Sequence, residues 1–213
     1  MTEFNDLLAG YQRFHAEDYE QERERWEELG RGQSPKVMII ACSDSRVDPT
    51  QIFDAGPGEM FVVRNVANLV PPFEADGGRH GVSAALEFAV TQLEVSDILV
   101  LGHASCGGVG ASLSKKFADK QPGEGGFIAN WVDILDEPRD RIVAEHGTGP
   151  EAVKALELET VRTSIANLRT FPFVADRESV GTLRLRGAYF AIADGVLQVL
   201  GDDGDFAPAR QGA

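Results

Sequence analysis

Three side chains in this sequence, Cys42, His103 and Cys106, are of the kinds that hold a metal ion. His103 and Cys106 are separated by two residues, so both can reach one ion from a single tight loop. Zinc binds cysteine sulfur and histidine nitrogen, and three protein ligands with an open fourth position are typical of a catalytic site. We therefore predict one Zn²⁺ per chain, with Cys42 as the third ligand.

Each of these residues has a simpler explanation when it is taken alone. Free cysteines are often buried as small apolar side chains, and His103 could be a hydrogen-bonded core histidine. A phosphate cradle is a further alternative, because Arg46 follows Cys42. Cysteine-dependent phosphatases resemble Cys-x5-Arg, however, whereas this arginine comes four residues after the cysteine, and Asp44 would repel phosphate. The metal site is favoured because these residues occur together.

The candidate ligands follow predicted strands of a parallel sheet. Continuous apolar runs, typical of strands covered on both faces, occur at residues 37–41, 60–63 and 98–101. Helical spacing over residues 82–93 places a crossover helix between the last two runs. Ligands of open α/β sheets sit at the carboxyl ends of the strands, so Cys42 and the His103 loop should meet there.

The remaining segments complete an α/β fold with a mostly parallel central β-sheet flanked by helices. After a glycine-rich loop near Gly107, we predict helices over residues 128–146 and 150–169. A late antiparallel edge strand pair is predicted at residues 182–186 and 195–200. The domain prediction is an N-terminal helical arm at 1–30, an α/β zinc domain at 31–200 and a flexible tail at 201–213.

Composition narrows the possible partners and compartment. With 43% hydrophobic and 25% charged residues, the chain reads as an ordinary soluble globular protein. The formal charge of -14, without a basic cluster, argues against nucleic acid or anionic lipid as a partner. No secretory signal and no apolar run of membrane-spanning length occur in the sequence, so we expect a cytoplasmic protein.

Two motifs resemble the signature of the β-class carbonic anhydrases, in particular the plant-like type with an open zinc site. The first is Cys-x-Asp-x-Arg at residues 42–46, and the second is His-x-x-Cys-Gly-Gly at residues 103–108. The likeness extends through residues 32–36, 61–68 and 164–168. It covers about residues 30 to 200, and its segments agree in order and spacing.

The resemblance implies reversible hydration of carbon dioxide to bicarbonate and a proton, by attack of zinc-bound hydroxide. It implies that Asp44 accepts a hydrogen bond from this hydroxide, while Arg46 fixes Asp44 and keeps the fourth position open. If the pair broke, Asp44 could bind zinc and close the site. Two thiolate ligands cancel the charge of the ion, so we expect activity to rise toward alkaline pH.

The resemblance also assigns five residues to the substrate pocket. Gln33 would donate a hydrogen bond to bicarbonate, and Phe61 and Val66 would form an apolar wall for carbon dioxide, partly from a neighbouring subunit. Plain core packing is the alternative for Phe61 and Val66. Gly107 belongs to the same pocket. Phe88 stands where plant-like members often carry tyrosine, so a hydroxyl that could relay a proton is absent.

Two alternative functions stay open from the sequence. The same zinc site could hydrolyse carbonyl sulfide or carbon disulfide, or the chain could be a non-catalytic zinc-binding or sensing module. Asp44 and Arg46 argue against the second alternative, since a structural zinc has no use for an open position. The resemblance further implies a homodimer or a higher even oligomer. We expect the charged arm to pack on a partner subunit, and packing on its own domain is the alternative.

Overall fold

The structure is a computed structural model that describes residues 2–76 and 78–209. The chain separates into two compact units, one ending at Ser34 and one beginning at Pro35. The boundary lies four residues after the predicted end of the helical arm. The prediction that this arm packs on a partner subunit stays a prediction.

The first unit is helical, as its amphipathic pattern indicates. It contains α1 at Phe4–Phe14, a π-helical segment at His15–Tyr19 and α2 at Arg23–Leu29. Neither α-helix has a buried residue. Three aromatic side chains pack together, with the ring of Phe14 5.5 Å from Trp26 and 6.3 Å from Tyr19 between centroids.

The second unit is built on one six-stranded sheet with the order β2-β1-β3-β4-β5-β6. The strands are β1 Val37–Cys42, β2 Met60–Asn65, β3 Asp97–His103, β4 Arg184–Ala191, β5 Val196–Leu200 and β6 Phe206–Pro208. The first four strands are parallel, and β5 and β6 pair antiparallel with their neighbours. The mostly parallel sheet and the late antiparallel pair are therefore confirmed.

Helices pack around this sheet and bury its apolar runs. They are α3 Pro49–Ile52, α4 Gly81–Glu87, α5 Gly107–Leu113, α6 Gly126–Val132, α7 Asp136–His146, α8 Pro150–Leu168 and α9 Pro172–Ser179. The main core joins buried strand residues such as Met38 and Val100 to Leu86 of α4, Val161 of α8 and Val174 of α9. Within the described residues, no helix is long and apolar enough to cross a lipid bilayer.

Three local predictions differ from the structure. The glycine-rich segment after Cys106 is not a loop but helix α5, because tertiary packing overrides the low helix propensity of glycine. The strand predicted at 182–186 is not an outer strand: β4 lies between β3 and β5, parallel to β3. The predicted flexible tail contains β6, whose Phe206 pairs with Leu200, while residues 210–213 lie outside the described residues.

Candidate metal centre

The three predicted ligands converge at one edge of the sheet. Cys42 is the last residue of β1 and His103 is the last residue of β3, and these parallel strands are neighbours. Cys106 follows after a short turn and is the N-cap residue of α5. The turn passes through Ser105 at a φ of 56°, a left-handed conformation that brings Cys106 back toward His103.

The geometry of this cluster fits a tetrahedral metal. The sulfur atoms of Cys42 and Cys106 are 3.9 Å apart, against about 3.8 Å for two sulfurs each about 2.3 Å from one tetrahedral zinc. One ligand atom from each residue, including His103, lies within 4.8 Å of the others. All three residues are at most 5% exposed. The cluster is therefore compact enough to share one ion.

The orientation of His103 points to a metal more directly than its position does. Its Nδ1 lies 2.9 Å from the carbonyl oxygen of Ala104, an acceptor that fixes the tautomer with the proton on Nδ1. The other nitrogen, Nε2, is buried and makes no hydrogen bond of good geometry, although the Cys42 sulfur is close enough to interact with the ring. A buried polar atom without a partner is costly, so this lone pair indicates a missing electrophile such as a zinc ion.

The two cysteines have opposite tendencies to ionise. A hydrogen bond from the Cys106 thiol lowers the pKa of Cys42 against the effect of burial, and the His103 ring and the backbone N–H groups of Asp44 and Ala67 act in the same direction as Cys106. The interaction with Cys42, together with burial, raises the pKa of Cys106. Without a metal the pair thus favours one thiolate. A divalent cation would allow both cysteines to ionise, because thiolates are the form that binds metal.

Asp44 and Arg46 form a hydrogen-bonded ion pair beside the cluster. Arg46 donates from Nε and Nη2 to the two carboxylate oxygens of Asp44, over 2.9 and 2.7 Å, and its backbone N–H donates to the same carboxylate over 3.0 Å. These hydrogen bonds hold the pKa of Asp44 well below its usual range. Arg46 Nη2 also donates to the carbonyl of Ser105, which ties the pair to the ligand loop.

Two further groups support the ligands, and the sequence reading missed both. Arg64 donates to the carbonyl oxygens of Cys42 and Asp44, over 2.9 and 2.6 Å. Glu157 of α8 accepts a hydrogen bond from the backbone N–H of Cys106 at 3.1 Å. No spacing rule links these residues to the motifs, since Glu157 lies 51 positions from Cys106. Arg64 lies two positions before Val66, a predicted pocket residue. This proximity in the sequence is the one signal that could have indicated its role.

Val66 and Gly107 of the predicted substrate pocket lie at the metal edge. Val66 follows β2 directly and is 38% exposed. A Cβ atom on Gly108 would lie 2.6 Å from Cγ1 of Val66, so Val66 packs closely against the first turn of α5. Gly107 is the first residue of that helix, next to Cys106. Both residues can therefore border a small substrate at the cluster.

Phe61 and Phe88 lie elsewhere in the chain. Phe61 pairs with Met38, four positions before the level of Cys42, which corresponds to about 13 Å along a parallel strand. Its ring is 5.8 Å from that of Phe88, which is 45% exposed. The chain by itself does not bring Phe61 and Val66 into one wall. Gln33 belongs to the first unit, and its contact with bicarbonate stays a prediction.

Fold and site together are typical of a metal enzyme with three protein ligands and an open position. The family model described as carbonic anhydrase matches residues 37–197. The curated protein "Beta carbonic anhydrase 6, mitochondrial" of Arabidopsis thaliana is 36% identical over 192 residues, which are 89% of this chain. The chain spans 65% of the length of that relative. This chain belongs to the β-carbonic anhydrase family.

Solved structures agree with this assignment. The β-carbonic anhydrase CcaA has a TM-score of 0.89 at 30% identity, covering 98% of this chain and 92% of that chain. Tetrameric β-carbonic anhydrases from the ascomycete Sordaria macrospora have a TM-score of 0.80 at 27% identity, covering 97% of this chain and 98% of that chain. Both similarities extend over nearly the whole chain.

Proposed function

We propose that the chain is a zinc-dependent carbonic anhydrase that interconverts carbon dioxide and bicarbonate. The observation that carries this proposal is the unpartnered Nε2 of His103, buried beside two cysteine sulfurs and next to the Asp44–Arg46 pair. Zinc at this position would supply a Lewis acid that makes water a nucleophile near neutral pH. Cys42, His103 and Cys106 would hold it.

The chain's own residues then orient the reactants. Asp44 is held as a carboxylate by Arg46, so it can accept a hydrogen bond from the reacting water and direct an oxygen lone pair toward carbon dioxide. The same two hydrogen bonds keep Asp44 from becoming a fourth ligand. Val66 offers an apolar side for a small apolar substrate. Phe88 has no hydroxyl group, so we propose that soluble buffer takes the released proton.

Dependence on pH follows from the donor set. Two ionised cysteines cancel the charge of a divalent ion, which makes water at the site less acidic than in a site with three neutral histidines. Activity should therefore rise toward alkaline pH. The assay is stopped-flow carbon dioxide hydration over about pH 6.5 to 9, on protein whose zinc content has been measured.

The decisive variant is Asp44→Asn, and the chain supplies a matched control in Asp97→Asn. Both aspartates are bound by two nitrogens of one arginine, and their side chains are 18% and 17% exposed. Asp97 begins β3, at the end opposite His103. We expect Asp44→Asn to lower kcat/KM by about 100-fold or more, and Asp97→Asn to leave it near the wild-type value.

Two other outcomes would contradict the proposed function. Equal activity in the two variants would refute the role of Asp44. Stoichiometric zinc without carbon dioxide hydration would refute the proposed reaction. Hydrolysis of carbonyl sulfide or carbon disulfide, and then zinc binding without turnover, would be the next possibilities to assay.

We further propose an even-numbered homo-oligomer as the active form. The Sordaria relatives are described as tetrameric, and the exposed Phe88 and Val66 leave apolar surface for a second copy to cover. A cytoplasmic location stays a prediction, since the Arabidopsis relative is named as mitochondrial.

A further inference from the structure

A buried carboxylate lies directly behind the metal ligands. Glu157 is 3% exposed, and each of its oxygens accepts one hydrogen bond. Oε1 accepts from the backbone N–H of Cys106 at 3.1 Å, and Oε2 accepts from the hydroxyl of Tyr189 at 2.8 Å. Glu157 forms no direct ion pair among the described residues, but the ammonium of Lys154 lies 3.4 Å from the centre of the Tyr189 ring and interacts electrostatically with Glu157. A buried carboxylate without a direct ion pair is costly, and its hydrogen bond to the ligand loop indicates a role in positioning Cys106.

The surroundings hold Glu157 in one place. Tyr189 is 1% exposed and pairs with Gly102, the residue before His103. Helix α8 approaches β3 closely there: a Cβ atom on Gly102 would lie 2.7 Å from Cγ2 of Val161. Val161 is one helical turn after Glu157. Helix, strand and tyrosine therefore fix the carboxylate against the turn that carries His103 and Cys106.

This turn needs such an anchor. Ser105 has left-handed backbone angles, which an ordinary residue adopts only at a cost. The N–H of Cys106 has no helical acceptor, because Cys106 is the N-cap residue of α5. Glu157 accepts from this N–H and thereby fixes the backbone at the residue that carries the metal-binding sulfur.

We propose that Glu157, held by Tyr189, is a positioning residue that sets Cys106 in the metal-binding geometry before the ion arrives. This inference rests on the proposed zinc site. It assigns Glu157 no contact with substrate. Groups that orient ligands in this indirect way typically change metal affinity or activity by about 10- to 100-fold when they are removed.

The test compares two near-isosteric substitutions of one side chain. Glu157→Leu removes the charge and both acceptors, whereas Glu157→Gln keeps an oxygen that can accept from Cys106. Zinc affinity is measured on apoprotein by competition with a chromophoric chelator, and cobalt(II) substitution reports the thiolate charge-transfer band. We expect Glu157→Leu to bind zinc about 10- to 100-fold more weakly with an altered cobalt spectrum, and Glu157→Gln to bind like the wild type.

A control separates this effect from general destabilisation. Val174→Ala opens a cavity in the core of α9, away from the metal, where Val174 is fully buried. We expect it to lower the unfolding temperature without changing zinc affinity or the cobalt spectrum. Glu157→Leu removes the acceptor of the Cys106 N–H. It should therefore lose zinc affinity even if the unfolding temperature of its apoprotein is no lower than that of Val174→Ala.

Wild-type zinc affinity in Glu157→Leu would overturn the proposal, as would equal losses in Glu157→Leu and Glu157→Gln. Should Glu157→Leu fail to fold, Tyr189→Phe repeats the test by deleting one hydroxyl group. Weaker zinc binding is then expected, and unchanged affinity overturns the proposal. Because these measurements use binding and spectra, a wild type that binds zinc without hydrating carbon dioxide would refute the proposed reaction and leave this inference intact.

Discussion

Adjacent glycines in the first turn of α5 should respond in opposite ways to the same substitution. A Cβ atom at Gly107 meets no atom within 4 Å, whereas one at Gly108 would lie 2.6 Å from Cγ1 of Val66 and 3.1 Å from Cβ of Ala67. Neither glycine has a positive φ, so backbone strain does not separate them. The comparison therefore isolates the contact between α5 and the segment after β2.

The expected difference follows from two opposing contributions. Alanine stabilises a helix by up to about 1 kcal/mol relative to glycine, and both variants share this gain. Overpacking at Gly108 costs about 1–3 kcal/mol. Movement of the Val66 side chain alone would not accommodate the methyl group, because Cβ of Ala67 would still lie 3.1 Å from it and the Ala67 backbone nitrogen 3.5 Å. Gly108→Ala should thus be less stable than Gly107→Ala by about 2 kcal/mol, or about 6 °C in Tm.

Thermal unfolding of both variants with zinc held saturating measures this difference. Displacement of Val66 should also reduce carbon dioxide hydration by Gly108→Ala, by about 10-fold or more, since small misplacements at a reacting centre have large effects. Equal unfolding temperatures for the two variants, or a Gly108→Ala protein more stable than the wild type, would show that the close approach is not a real constraint.

Two other predictions concern metal and pH. Zinc at 100 times its Kd should raise the unfolding free energy by about 2.7 kcal/mol. The Tm should therefore fall when a chelator is added and recover when zinc is restored. A Tm that does not respond to the chelator would contradict a metal site. Burial raises the pKa of Asp97, but hydrogen bonds from Arg184 and Ser96 outweigh it and hold this pKa below its ordinary value. The stability that Asp97 contributes is therefore present above about pH 4 and is lost as pH falls through the lower, folded pKa. Urea unfolding of zinc-free protein should show Asp97→Asn less stable than the wild type at pH 7. The difference in unfolding free energy should become smaller in acid. A difference that grows in acid would contradict the direction of the pKa shift.

The ligand set could be predicted from the sequence because it needs only local information. Apolar runs identify strands, strand ends of a parallel sheet share one edge, and soft donors at two such ends imply a common ion. Cys42 and His103 satisfy each step, and the structure brings them together with Cys106. The pairing of Asp44 with Arg46 is equally local, since only one residue separates them in sequence and their backbone turn brings them together.

Long-range packing explains what the sequence did not reveal. Helix α5 contains three glycines in seven residues, which by propensity alone argues for a loop. Its helical form depends on packing: Val66 approaches Gly108 so closely that a side chain there would not fit, and this contact is not visible before the fold is known. Glu157 likewise reads as an ordinary helix residue until α8 docks on the sheet and places it against Cys106.

The two positions that the resemblance assigns to the carbon dioxide wall, Phe61 and Val66, lie apart in the structure. Phe61 and Val66 are only five residues apart, yet β2 extends between them, so their side chains cannot face one small molecule within a single chain. Val66 borders the metal edge, and Phe61 packs with Phe88, whose ring is partly exposed. A single wall built from both positions therefore requires two chains, each contributing the part that the other lacks. The wall that the resemblance implies therefore predicts an active dimer, in which a second copy covers the exposed Phe88 ring.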